Sequence, residues 1–142
     1  MEKSVRLIYL GRTKKIRVAV RKANEILCDP DFYEQIKGYR KFDHADLSPE
    51  EIANQMRDNN HEIIIRISYL SFFLPAFTNS GNKISLSFWN FSSHLPTAVN
   101  TVIHETVKAI EILNSGNFKK TQKKRPTAAS WVIGAIAEVM VK

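Results

Sequence analysis

NTVIHETVKAI, residues Asn100–Ile110, sets a histidine, an adjacent glutamate and, one helical turn on, a lysine: His104, Glu105 and Lys108. Pro96 and Thr97 supply a helix start just upstream, and the periodicity carries the helix to about Leu113. At ~100° per residue, Val99, Val102, Ile103, Thr106, Ala109, Ile110 and Leu113 form an apolar stripe. His104, Lys108 and Glu111 line up on the opposite side, with Glu105 on their flank. An amphipathic surface helix accounts for this pattern: Lys108 pairs with Glu105 or Glu111 at three-residue spacing, worth ~0.2–0.5 kcal/mol. A metal-binding helix accounts for it equally well.

The metal reading rests on the order His-Glu-x-x-His, in which two imidazoles one turn apart reach one zinc ion. The glutamate between them then works on the bound water. Here Lys108 stands at the second histidine position. An ammonium has no lone pair and repels a cation unless burial strips its proton. His104 and Glu111 are the donors left on the helix, with Glu105 as the base of any active site.

Working outward, SVRLIYLG reads as a first strand closed by Gly11. Ile16, Val18, Ala19, Val20, Ala23, Ile26 and Leu27 suit a helix from Lys14 to Cys28. Asp29 or Asp31 caps a short helix around Pro30, ending at Ile36. Ser48, Pro49 and Glu51 form a stronger start, with a reciprocal capping acid. EIIIRISYL is rich in β-branched residues and reads as a well-buried strand. NSGN makes a turn, and KISLSFW alternates Ile84, Leu86 and Phe88 as a strand with one buried face. Thr127 caps a last helix, AASWVIGAIAEVMV, apolar on most sides. The expected order is β-α-α-α-β-β-α-α, an α+β domain spanning residues 1–142.

Length and composition agree with one globular domain: 142 residues, 44% hydrophobic and 25% charged. The apolar runs YLSFFLPAF and WVIGAIAEVMV are too short for a membrane span, and no membrane partner is expected. MEKSVRLIYLGRTKK lacks the pattern of a secretory signal, which points to the cytoplasm. Cys28 is the single cysteine; it excludes an internal disulfide or thiolate cluster, and its thiol is expected to be half-buried and without a special role. The net charge of +7 concentrates in GRTKKIRVAVRK and in FKKTQKKR, where Lys119, Lys120, Lys123, Lys124 and Arg125 form a basic patch. A solvated helix face and a solvated loop are the plainer reading of these segments; phosphate, an acidic peptide or an anionic surface is the other. The second segment has only Phe118 to stack on a base, so nucleic acid is a weak expectation there.

KISLSFWNFSSHLPTAVNTVIHETVKAIEI resembles the central segment of small bacterial zincin-like metallopeptidases. In those, an edge strand of the form I-x-L-N precedes a helix reading roughly TLIHExxHAxD. Ile84 and Leu86 match the strand, with Ser87 where asparagine is common. Thr101, Ile103, His104, Glu105 and Ala109 match the helix. Thr127, Ala128, Trp131, Ile133, Gly134 and Ala137 resemble the closing helix of that family. The resemblance covers the second half of the chain.

It implies a zincin-like domain with a small sheet, a motif helix and a packed C-terminal helix. Carried over, His104 is a metal ligand, Glu105 the general base and Glu111 an acidic ligand, while Lys108 replaces the second ligand. The implied cofactor is zinc, and the substitution implies that none is held. The expected role is that of a catalytically impaired metallopeptidase homologue that binds a peptide or protein, an acidic one above all. The groove between the Lys83–Trp89 strand and the motif helix would take it by strand addition. The alternatives are an active zinc hydrolase that borrows a ligand from elsewhere and a basic nucleic-acid-binding module. His94 in the preceding loop and His44, between Asp43 and Asp46, are the histidines such a ligand set would draw on; His61, before a strand, is not.

Overall fold

In a computed structural model the described residues are 4–37, 49–58, 61–69, 76–80, 82–115 and 128–141. Their order is β1 (Arg6–Ile8), α1 (Lys14–Leu27), α2 (Pro30–Ile36), α3 (Pro49–Asp58), β2 (Glu62–Ser68), β3 (Ala76–Ser80), β4 (Lys83–Ser87), α4 (Leu95–Ser115) and α5 (Ala128–Met140). The architecture is α+β. His44, Asp43, Asp46, the Ser48 cap, Thr127 and the basic patch Lys119–Arg125 lie outside the described residues.

The helices form where their caps and periodicity place them. In α1, Ile16, Ala19, Val20, Ala23, Ile26 and Leu27 are buried at three- and four-residue spacing, while Val18 points outward. Asp29 caps α2 by accepting from the Asp31 N–H at 2.9 Å, with Pro30 in the first turn, where its missing N–H costs nothing. The Tyr33 hydroxyl donates to the Leu27 carbonyl, tying α2 back to the end of α1. Glu50 and Glu51 sit in the first turn of α3, where the helix dipole favours them.

The sheet has the strand order β1-β2-β4-β3, with β1, β2 and β4 parallel and β3 antiparallel to β4. Leu7, Ile63, Ile65, Ile84 and Leu86 are buried on one face, and α1, α4 and α5 join them in one core. Arg6, Glu62, Ile64 and Arg66 lie on the other face and are exposed; Arg6 and Glu62 pair across it at 3.7 Å. Glu62–Ser68 is therefore a half-buried strand rather than a fully buried one, because Glu62, Ile64 and Arg66 face outward on its second side.

Two further expectations are corrected. Ala76–Ser80 is a strand that the sequence pattern hides, since Thr78, Asn79 and Ser80 give no apolar alternation. It pairs with β4 through Ala76–Leu86, Phe77–Ser85 and Thr78–Ile84, so β4 is an interior strand and not an edge. No peptide can add to β4, because both of its ladders are taken. Cys28 is exposed rather than half-buried, since α1 ends there and turns its last side chain outward; its Sγ lies 3.6 Å from Ser4 Oγ.

The outer edge of β1 is closed from an unexpected direction. Asn24 on α1 donates through Nδ2 to the Leu7 carbonyl and accepts through Oδ1 from the Leu7 N–H, each at 2.9 Å. One side-chain amide thus stands in for a neighbouring strand and removes an edge open to pairing. Asn24→Leu keeps the volume and orphans both groups, so the unfolding free energy should fall by about 2–3 kcal/mol. Urea denaturation measures this, and an unchanged midpoint would mean that water serves Leu7 equally well.

Candidate functional site

α4 is an interior helix rather than an amphipathic one on the surface. It packs most extensively against α5 and also meets α1, α3, β3 and β4. Val99, Val102, Ile103, Thr106, Val107, Ala109 and Ile110 are all buried, whereas Leu113 is exposed. The buried arc is wider than the expected stripe, because layers lie on several sides of the helix. Gly134 permits the close approach of α5: a Cβ there would fall 2.3 Å from Asn100 Oδ1. The Asn100 amide cannot swing away freely, since its Nδ2 donates to Glu138 Oε1 at 3.0 Å.

On this helix His104, Glu105 and Lys108 are gathered together. Glu105 is the buried centre, with its side chain 6% exposed. Lys108 Nζ lies 3.7 Å from Glu105 Oε1, and His104 Nε2 lies 3.8 Å from Glu105 Oε2. Lys108 is 24% exposed, so its ammonium reaches inward from the rim to the carboxylate. Trp131 of α5 closes the other side, its ring centroid 4.8 Å from that of His104, and is itself 61% exposed. The arrangement is a buried carboxylate between a partly exposed lysine and an imidazole, with an exposed indole against the imidazole.

His104 Nδ1 is buried without a hydrogen-bond partner among the described residues. Burial pushes the imidazole below its ordinary value of 6.5; Glu105 opposes that shift and Lys108 adds to it. The Ser130 backbone also favours the protonated ring, without making a hydrogen bond to Nδ1. Desolvation dominates, so the ring is neutral at pH 7 and keeps a lone pair.

A pH dependence follows from the depressed value. The unfolded chain takes up a proton at His104 near pH 6.5, while the folded chain does so only at lower pH. The stability present above pH 6.5 is therefore lost as pH falls toward the folded value, by at most ~1.4 kcal/mol per pH unit. His104→Phe should flatten this limb between about pH 6.5 and 5, above the carboxylate range, in urea titrations at stepped pH. An unchanged slope would mean that His104 titrates alike in both states.

The remaining candidates are placed elsewhere. His94 is exposed at the start of α4, its Nδ1 3.0 Å from Thr97 Oγ1, and its carbonyl accepts from the Ala98 N–H. Ten residues of helical rise separate it from His104 by about 15 Å, too far to share an ion. The carbonyl of His61 accepts from Arg6, a backbone role at the sheet margin. Glu111 is partly buried further along α4. Among the described residues no three His, Cys, Asp or Glu side chains cluster as a metal-binding group, so Glu111 does not complete one with His104 and Glu105. Sequence reasoning gave no site role to Ser130 or to the Trp131 contact, because only the crossing of α5 over α4 brings them to His104.

No family model, curated protein or solved structure matches this chain. Among the described residues no helix is long and apolar enough to cross a membrane.

Proposed function

We propose that this chain is a zincin-like domain in which a lysine–glutamate pair stands in place of a metal centre, and that it binds an extended peptide without hydrolysing it. The observation that carries the reading is the Lys108 ammonium beside the buried Glu105 carboxylate. A cation held by the chain itself neutralises the group that would otherwise activate metal-bound water. The sheet supports strand addition at a different strand from the one the sequence suggested. Asn24 closes the β1 edge, β4 is interior, and β3 ends the strand order beside α4. A peptide would therefore pair with β3, and the basic surplus of the chain would favour acidic side chains on it.

Metal analysis tests the first half: protein purified without added zinc should hold far less than one equivalent. Hydrogen exchange tests the second: an extended acidic peptide should slow the amides of Ala76–Ser80, and unchanged exchange across that strand would rule out strand addition. A zinc hydrolase is the second reading, favoured by the unpartnered, neutral His104 Nδ1. Near-stoichiometric zinc that is lost on His104→Ala would establish it over the first.

A further inference from the structure

A groove of about 480 Å³ runs beside β1 along α1, a volume that suits a small molecule. Its floor is apolar: Leu7 and Val20 line it, and both are buried. The polar groups around that floor are mostly cationic. Arg17 and Arg21 line it from α1 at four-residue spacing, where two side chains on a helix reach one patch. Both are exposed, and neither makes an ion pair among the described residues. The carboxylate in the lining, Glu25, is held by Lys22 at 3.2 Å.

Tyr9 adds a third donor. Its hydroxyl oxygen accepts from the Thr13 N–H at 3.2 Å, and its proton is given to no acceptor among the described residues. Gly11 makes room for the ring, since a Cβ there would collide with it. Asn24 also lines the groove, but its amide is turned to the Leu7 main chain. Those two hydrogen bonds occupy the groups that a pairing strand would need. The groove is left to a small molecule.

We infer that this groove binds a small phosphomonoester whose organic part is apolar. Two guanidinium groups without counter-ions call for a dianion, which a phosphomonoester approaches at neutral pH and a carboxylate does not. Its oxygens accept from the planar guanidinium forks and from the Tyr9 hydroxyl, while its apolar body covers Leu7 and Val20. β1 and β3 are the two ends of the sheet, so the groove is separate from the β3 edge. The inference does not depend on the reading of that edge or of the His104–Glu105–Lys108 cluster.

Cys28 lines the same groove with an exposed thiol, and as the single cysteine it reports occupancy in the intact chain. Alkylation by iodoacetamide, a neutral reagent, is the measurement. Phenyl phosphate should slow it saturably, with half protection at ~1 mM or below. Arg17→Gln and Arg21→Gln, both at exposed positions, should each raise the half-protecting concentration about fivefold or more. Tyr9→Phe should raise it by a smaller factor. No protection at about 10 mM phenyl phosphate would overturn the proposal, as would protection that Arg21→Gln leaves unchanged. Inorganic phosphate protecting equally well would also overturn it, since the apolar floor would then contribute nothing. Benzoate matching phenyl phosphate would remove the case for a dianion. A phosphotyrosine peptide protecting far better than phenyl phosphate would overturn the small-molecule assignment in favour of a protein partner.

Discussion

Lys108→Met is expected to lower the unfolding free energy by about 2–4 kcal/mol, well above the ~0–1 kcal/mol typical of surface pairs. The reason is the partner left behind. Glu105 is 6% exposed, and the Lys108 ammonium lies 3.7 Å from its Oε1. Removing the ammonium takes a counter-charge from a carboxylate that water can barely reach. Because Lys108 is itself partly exposed, the cost should fall short of that for a fully buried pair. Thermal unfolding should shift down by roughly 6–12 °C for a chain of this size. Glu105→Gln in the same background should restore much of the loss, since the amide needs no counter-charge, and the double-mutant cycle isolates the coupling. A second readout separates electrostatics from packing. Lys108 depresses the His104 pKa and Glu105 raises it, so Lys108→Met should move His104 upward. The loss of stability on acidification below pH 6.5 should then shrink. A midpoint unchanged within error would mean that the pair is solvated.

That triad was legible in advance because helical spacing alone places His104, Glu105 and Lys108 on neighbouring positions. Local signals also located α1, α2 and α3, through the Asp29 cap, the prolines at Pro30 and Pro49 and the apolar spacing of Ile16 to Leu27. What stayed hidden depends on contacts distant in sequence. Thr78, Asn79 and Ser80 become a strand only because Ile84 and its neighbours offer a ladder. Missing β3 made β4 look like an edge open to strand addition. Asn24 reads as one more polar residue on a helix until Leu7 is found opposite it, 17 positions away. Burial of Glu105 was equally unreadable, since elements distant in sequence pack round α4 on several sides. In each case the residue type was compatible with the outcome, and the partner decided it.

The sharpest test of the His104–Glu105–Lys108 cluster replaces the ammonium with a lone pair. Lys108→His sets a second imidazole one turn from His104, on the side of α4 where Lys108 now meets Glu105. His104 is prepared for such a role: burial holds its pKa below the ordinary value, and its Nδ1 has no hydrogen-bond partner among the described residues. The substitution also removes the positive charge that repels an incoming ion, so zinc affinity should rise by at least about 100-fold over wild type. Glu105 would then sit beside the metal with its carboxylate released from the lysine. Hydrolysis should nevertheless stay near background. Among the described residues Glu111 is not gathered into a donor group beside His104, so these residues would offer the ion two imidazoles and Glu105 itself. A carboxylate used as a ligand is not available as a base. Calorimetric zinc titration of wild type, Lys108→His and Lys108→His/His104→Ala measures the gain and assigns it. Loss of the gain in the double variant ties it to His104. If the single variant binds zinc no better than wild type, His104 and position 108 do not open onto one cleft. HETVK would then be the sequence of a packed helix whose buried glutamate needs a lysine, and the zincin-like reading would fall with it.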